Sequence, residues 1–282
     1  GGSYLAAALL LSNLFGLLAV LLFHRLVERK IGTRAAGLSV LLLLVFPGAL
    51  FLGLPYTESL FLLLAAALLV GIGEGRRGWA VAAAFLLPLA RPIGLFAVFP
   101  LAVDRLITKR NEGSWRPVAA DAVVLAPLAG FAAYLLAMQL MTGNALEGFE
   151  AQSRFYTQST ILRVLDVPGF LGIFFSQVSL HGFETSFLDR LWFVCFLAAL
   201  PAIWKLDKVW FAYALPMGLV PAMTVNLLSF TRYFLVLIPV FAVAGLFFSD
   251  RRRLPWLLPL GGMLLGLQVL LLVRHVNNFW AG

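Results

Sequence analysis

Arg91 is the one charge in the apolar stretch from Ala80 to Val103, and cations crowd both ends of that stretch. Arg76 and Arg77 precede it; Arg105, Lys109 and Arg110 follow it. Loops rich in Lys and Arg stay on the cytoplasmic side of a membrane. Two such loops, joined by a single span's worth of apolar chain, cannot lie on opposite sides. The stretch is therefore expected to enter the membrane and come back, with Arg91-Pro92 at the turn. A bare guanidinium near mid-membrane is costly and persists only in a wet or polar cavity. The chain is thus expected to build a buried, cation-lined site inside a membrane.

The composition agrees with that class. The chain is 62% hydrophobic and 12% charged, with a mean hydropathy of +0.96. Soluble domains carry about 25% charged residues. A length of 282 residues accommodates an all-α, polytopic transmembrane helix bundle of about ten segments, each of roughly 20 residues. The net charge of +8 does not call for nucleic acid, because the cations lie in short inter-helix loops, as membrane orientation requires. A single cysteine, Cys195, excludes an intramolecular disulfide and supplies no metal site. His24, His181 and His275 are far apart in sequence and read as loop or interface residues. No metal or cofactor is demanded.

Apolar runs place candidate spans at 4–23, 35–54, 57–72, a bent pair 79–90 and 92–104, then 118–141, 188–204, 209–226, 231–248 and 254–274. Five connections, 24–34, 73–78, 104–117, 205–208 and 249–253, hold most of the Lys and Arg. With Arg91 at a hairpin tip, all five fall on one side. The N-terminus, the 142–187 loop and the C-terminus then fall on the outer side. One membrane domain is expected over 1–282. Its 142–187 loop carries Glu147, Glu150, Arg154, Tyr156, Arg163, Asp166, His181 and Glu184, with an interfacial helix within 170–178.

Six cations lie on or near the outer side, where orientation does not explain them: Arg91, Arg154, Arg163, Arg190, Arg232 and Arg274. Arg163, Arg190 and Arg274 read as snorkelling side chains; Arg91 and Arg232 read as functional. Glu58 opens a span after the turn Leu54-Pro55-Tyr56-Thr57. It is either a residue that caps a helix dipole or part of a site. Ser229-Phe230-Thr231-Arg232-Tyr233 opens another outer helix end. It is either an interfacial aromatic and cationic belt or a contact for a phosphate or sugar. Among the outer acids Glu58, Glu147, Glu150, Asp166, Glu184 and Asp189, Glu58 has the packed helix that holds a base in place. A Walker A loop, a dinucleotide fingerprint and zinc-ligand spacing are all missing.

These residues carry a resemblance. Phe46-Pro47, Pro55-Tyr56-Thr57-Glu58-Ser59-Leu60-Phe61, Ala90-Arg91-Pro92-Ile93-Gly94-Leu95, Arg232-Tyr233 with Ile238-Pro239, and Asn278-Phe279-Trp280 occur in this order. The chain resembles the PIG-V-like mannosyltransferases, relatives of GPI mannosyltransferase II in the GT-C class of membrane glycosyltransferases. The resemblance implies transfer of a hexose, with mannose the expected sugar, from a polyprenyl- or dolichyl-phosphate donor. The acceptor would be a glycan, glycolipid or protein on the outer face of the bilayer. Arg91 and Arg232 would neutralise the leaving phosphate, with Tyr56, Arg154 and Tyr233 as further substrate contacts. Glu58 is the candidate catalytic residue within this chain. The family places its acid on an outer loop after a further N-terminal helix, and nothing before Tyr4 supplies these. The chain is therefore expected to lack that unit. Short loops and Ala/Leu/Arg-rich usage lean toward a bacterial inner membrane; in a eukaryote the endoplasmic reticulum membrane would be expected. The competing expectation is a transporter or flippase of lipid-linked sugars, which usually has paired interrupted helices in two related halves.

Overall fold

The computed structural model describes residues 2–154, 161–182, 186–224 and 226–281. Among them the regular structure is helical, with a lone bridge between Ser179 and Ser186. Tyr156 and Glu184, assigned above to the outer loop, lie outside the described residues. Helix α1 (Gly2–Ile31) is the longest, and its leucines from Leu5 to Leu21 stay largely exposed, as a lipid-facing surface requires. It packs on α2 (Thr33–Val45) and on α4 (Glu58–Gly73), with the short α3 (Leu50–Gly53) between them in sequence. Helix α5 (Arg77–Ala90) lies against α4 and against α7 (Ala126–Thr142). Helix α6 (Val98–Glu112) packs on α11 (Lys208–Thr224). The segment after α7 holds α8 (Glu147–Arg154) and α9 (Val167–Phe174). Then come α10 (Phe187–Leu206), α11, the one-turn α12 (Phe230–Phe234), α13 (Ile238–Phe248) and α14 (Leu257–Val276).

The expected ten segments are not ten spans. Among the described residues four helices are long and apolar enough to cross a membrane: α1, the Ala119–Thr142 helix, α10 and the Leu254–Val276 helix. A fifth is reached if Thr33–Val45 and Pro47–Gly53, bent by 73°, count as one span. Glu58–Gly73, Arg77–Ala90 and Ile238–Phe248 are apolar but shorter. Some expected spans are single helices that are too short, and proline divides three others. Pro47 breaks one run and Pro92 another. Leu237-Ile238-Pro239 separates α12 from α13, and proline cannot continue the backbone ladder of the preceding turn. The buried Tyr213 hydroxyl donates to the Val236 carbonyl, at 2.9 Å, in that last break.

Clustered cations meet at one end of the bundle. Glu74 binds Arg25, Arg29 and Arg76, and Lys30 binds Asp207. Arg77 and Asp207 are within electrostatic range of Asp104. The start of α5 and the middle of α6 therefore lie at the same end, so the chain turns back around Arg91. At that turn Arg91 is extended (φ −155°), and the 3₁₀ turn Pro92–Ala97 folds onto the last turn of α5. A Cβ on Gly94 would collide with the Leu87 backbone, so no larger residue fits there. Gly245 near the end of α13 packs on Ala35 and Ser39 of α2, which brings the 249–253 loop to this end as well. Small residues at such crossings let helices approach closely inside a membrane. Single cysteines at Arg110 and Arg252 should accept a membrane-impermeant thiol reagent from one side of a sealed vesicle, and a cysteine at Asn144 from the other. Labelling of positions 77 and 110 from opposite sides would rule the return at Arg91 out.

Candidate functional site

At the end of the bundle away from those cations, Glu58 opens α4 with its side chain fully buried. The positive end of the helix favours a carboxylate there. The turn before it is held by Ser59 Oγ donating to the Leu52 carbonyl at 2.7 Å. Glu58 Oε1 accepts from Arg91 Nη2 at 2.5 Å and also from Arg232 Nε. Its Oε2 is buried with no hydrogen-bond partner. The two guanidiniums come from positions 33 and 174 residues away in sequence. Their side chains are 16% and 21% exposed, so the carboxylate is sealed while both cations reach the surface.

Aromatic rings pack against the two guanidiniums. Arg232 lies over Tyr56 at 4.4 Å and over Phe51 at 5.0 Å from the ring centroids. Arg91 lies over Tyr233 at 5.5 Å. Cation–π contacts of this kind are worth about 0.5–2 kcal/mol, rising as water is excluded. Arg232 gives its Nε to Glu58, and its side chain still reaches the surface at 21% exposure. A guanidinium so anchored presents the paired donors that fit phosphate oxygens.

A second buried polar group fixes Arg232 from behind. Asp189 of α10 accepts from Thr231 N at 2.5 Å and from Thr231 Oγ1 at 2.7 Å. Ser186 accepts from the Asp189 amide and is 2.9 Å from His181 Nδ1. Burial pushes the His181 imidazole below its ordinary pKa, with the nearby Asp189 carboxylate offsetting part of the effect. Asn226, Leu227 and Ser229 just before α12 have positive φ (54°, 64° and 61°), a conformation that costs L-residues energy and that gathers near functional sites. Gly48 packs against the Thr231 carbonyl, where a Cβ would come within 2.5 Å. The break after Phe46 is thus the seat for α12, and the Phe46 ring stacks on Phe234 at 4.9 Å.

Of the residues singled out in the sequence, Glu58, Arg91, Arg232, Tyr56 and Tyr233 come together. Arg154 does not join them: it is exposed on α8 and pairs with Glu147 and Glu150. Arg190 and Arg274 do not simply snorkel. Arg190 donates to the carbonyls of Ile173 and Ser176, and Arg274 to those of Trp280 and His181. Phe51 and His275 were not anticipated as parts of the site; Asp189 and Thr231 were named in the sequence, but not as the pair that holds Arg232. The His275 ring lies 6.2 Å from Tyr56 and 6.0 Å from Phe51. Nothing in its sequence neighbourhood marks it; Asp189 carried the weak signal of an acid in the first turn of an apolar helix. Among the described residues no group of three or more His, Cys, Asp or Glu is placed to hold a metal ion. Fold and site together define an all-helical chain with membrane-length helices and a buried Arg–Glu–Arg cluster. No family model, curated protein or solved structure matches it.

Proposed function

We propose that the chain is a membrane glycosyltransferase. It moves a hexose, mannose by the sequence resemblance, from a polyprenyl- or dolichyl-phosphate donor to a glycan, glycolipid or protein acceptor on the outer face. What carries the proposal is the convergence of Arg91 and Arg232 on one buried carboxylate, with their outer faces open. The acceptor oxygen bonds to the anomeric carbon as the bond from that carbon to the phosphate oxygen breaks. The electron pair leaves with the lipid phosphate, and the two guanidiniums are placed where that charge develops. Glu58 is a positioning residue in this scheme. Its bonded oxygen holds two cations and the group is sealed from an acceptor. The acceptor's proton goes to a carboxylate outside the cluster, as the resemblance implies.

The test is transfer from polyprenyl-phosphate mannose to a broad acceptor mixture in vesicles. It is run on this chain and on one extended at its N-terminus by the helix and acidic loop that the resemblance calls for. In whichever form transfers sugar, Arg91→Ala and Arg232→Ala each abolish transfer while the protein stays folded. Arg91→Lys restores part of it, because an ammonium lacks the planar fork of donors. Full transfer by both alanine variants would remove these residues from the site.

The transporter alternative gains from the 73° bend between Thr33–Val45 and Pro47–Gly53. With the break at Arg91 and the one between α12 and α13, this makes three interrupted segments beside one cation cluster, and discontinuous helices at the site are a pattern of transporters. Movement of an intact lipid-linked sugar across vesicles, with no new glycosidic bond, would favour it.

A further inference from the structure

The end of the bundle opposite the proposed site has a cavity of about 140 Å³. Leu26, Val70 and Trp210 form its apolar wall, and Arg29, Lys30, Glu74 and Asp207 supply its charges. The four lining charges balance, but two further guanidiniums, Arg25 and Arg76, reach Glu74 from outside the lining. Glu74 is held by three guanidiniums, at 2.6 Å from Arg25, 3.0 Å from Arg29 and 2.9 Å from Arg76. Lys30 is matched by Asp207 at 2.6 Å. Four cations therefore meet two carboxylates, a surplus of two positive charges. The carboxylates are the more buried members: the Glu74 side chain is 6% exposed, against 57% for Arg29 and 41% for Lys30. Arg29 and Lys30 sit in the last turn of α1, where the helix dipole favours cations.

We propose that this cavity binds the phosphate of an anionic membrane phospholipid. Arg29 and Lys30 take the phosphate oxygens, and the wall of Leu26, Val70 and Trp210 takes the glycerol and the first chain methylenes. Basic pockets between membrane helices suit such headgroups. The site is separate from the Arg91–Arg232 cluster and stands or falls independently of the glycosyltransferase proposal.

Gly73 lines the cavity, and a Cβ there meets nothing within 4 Å. Gly73→Leu therefore adds an apolar side chain at the cavity lining without removing a charged group. The purified chain in detergent is titrated with short-chain phosphatidylglycerol, with phosphatidylcholine and with inorganic phosphate, read by thermal shift and native mass spectrometry. Phosphatidylglycerol should bind saturably and raise Tm; phosphatidylcholine and inorganic phosphate should bind more weakly by about tenfold or more. Gly73→Leu and the double variant Arg29→Gln/Lys30→Gln should each weaken phosphatidylglycerol binding by about the same factor. Arg251→Gln/Arg252→Gln, which removes the same charge at another loop, should leave it unchanged. Unchanged binding in Gly73→Leu or in the Arg29/Lys30 variant would overturn the proposal. An equal loss in the Arg251/Arg252 variant would reduce it to general charge attraction. Inorganic phosphate binding as tightly as the lipid would assign the site to the free anion instead. If Gly73→Leu fails to fold, the contrast between the two double variants decides alone.

Discussion

The double variant Arg91→Ala/Arg232→Ala should lose about 3–5 kcal/mol of stability, far more than the sum of the two single variants. Either arginine alone still leaves Glu58 one cationic partner at the same oxygen. Removing both leaves a fully buried carboxylate with no counter-charge. Distant, independent sites add within about 0.3–0.5 kcal/mol, so a large excess in the double variant measures the shared carboxylate. Adding Glu58→Gln to the double variant should return much of the loss, because no charge then remains buried. Thermal and denaturant unfolding in detergent give all four values. Simple additivity would show that Glu58 is not the common partner.

Asp189→Ala is expected to cost about 2 kcal/mol or more, because each buried donor left without a partner costs about 1–3 kcal/mol and two are orphaned. It orphans the Thr231 N–H and hydroxyl, both fully buried. Thr231→Val should cost less, since the backbone bond to Asp189 survives. Thr231 immediately precedes Arg232, so Asp189→Ala should also release the guanidinium from Tyr56 and Phe51. The readout for this is the near-ultraviolet aromatic signal in the folded fraction, together with loss of the activity that depends on Arg232. A variant that keeps both stability and that signal would disconnect α10 from the site.

Much of the site could be read from residue type and orientation alone. Arg91 and Arg232 stood out because charge on an apolar run is costly and these cations had no role in orienting the chain. Glu58 stood out as an acid at a helix start beside a Pro-Tyr-Thr turn. What failed was the count of spans. Hydropathy finds apolar runs of the right length, but it does not show that Pro47 bends one of them by 73° or that α12 is a single turn. Arg154 lies apart from the cluster for a related reason: a cation in a loop is uncommitted until the fold shows which acids share its helix. Arg190 and Arg274 found backbone carbonyls, partners that leave no mark in a sequence.

Composition and the placing of cations therefore determined, unaided, that this chain is helical, that its helices are apolar enough for a membrane, and that its basic loops gather at one end. These follow from transfer free energies, which depend on each residue and its near neighbours. Tertiary structure decided what Glu58 does. Whether a carboxylate is a free base or the anchor for two guanidiniums depends on contacts 33 and 174 residues away. Such contacts exist only once α4, the Arg91 turn and α12 are packed together. Within that packing, Gly48 and the Asp189–Thr231 bonds set where the second arginine stands.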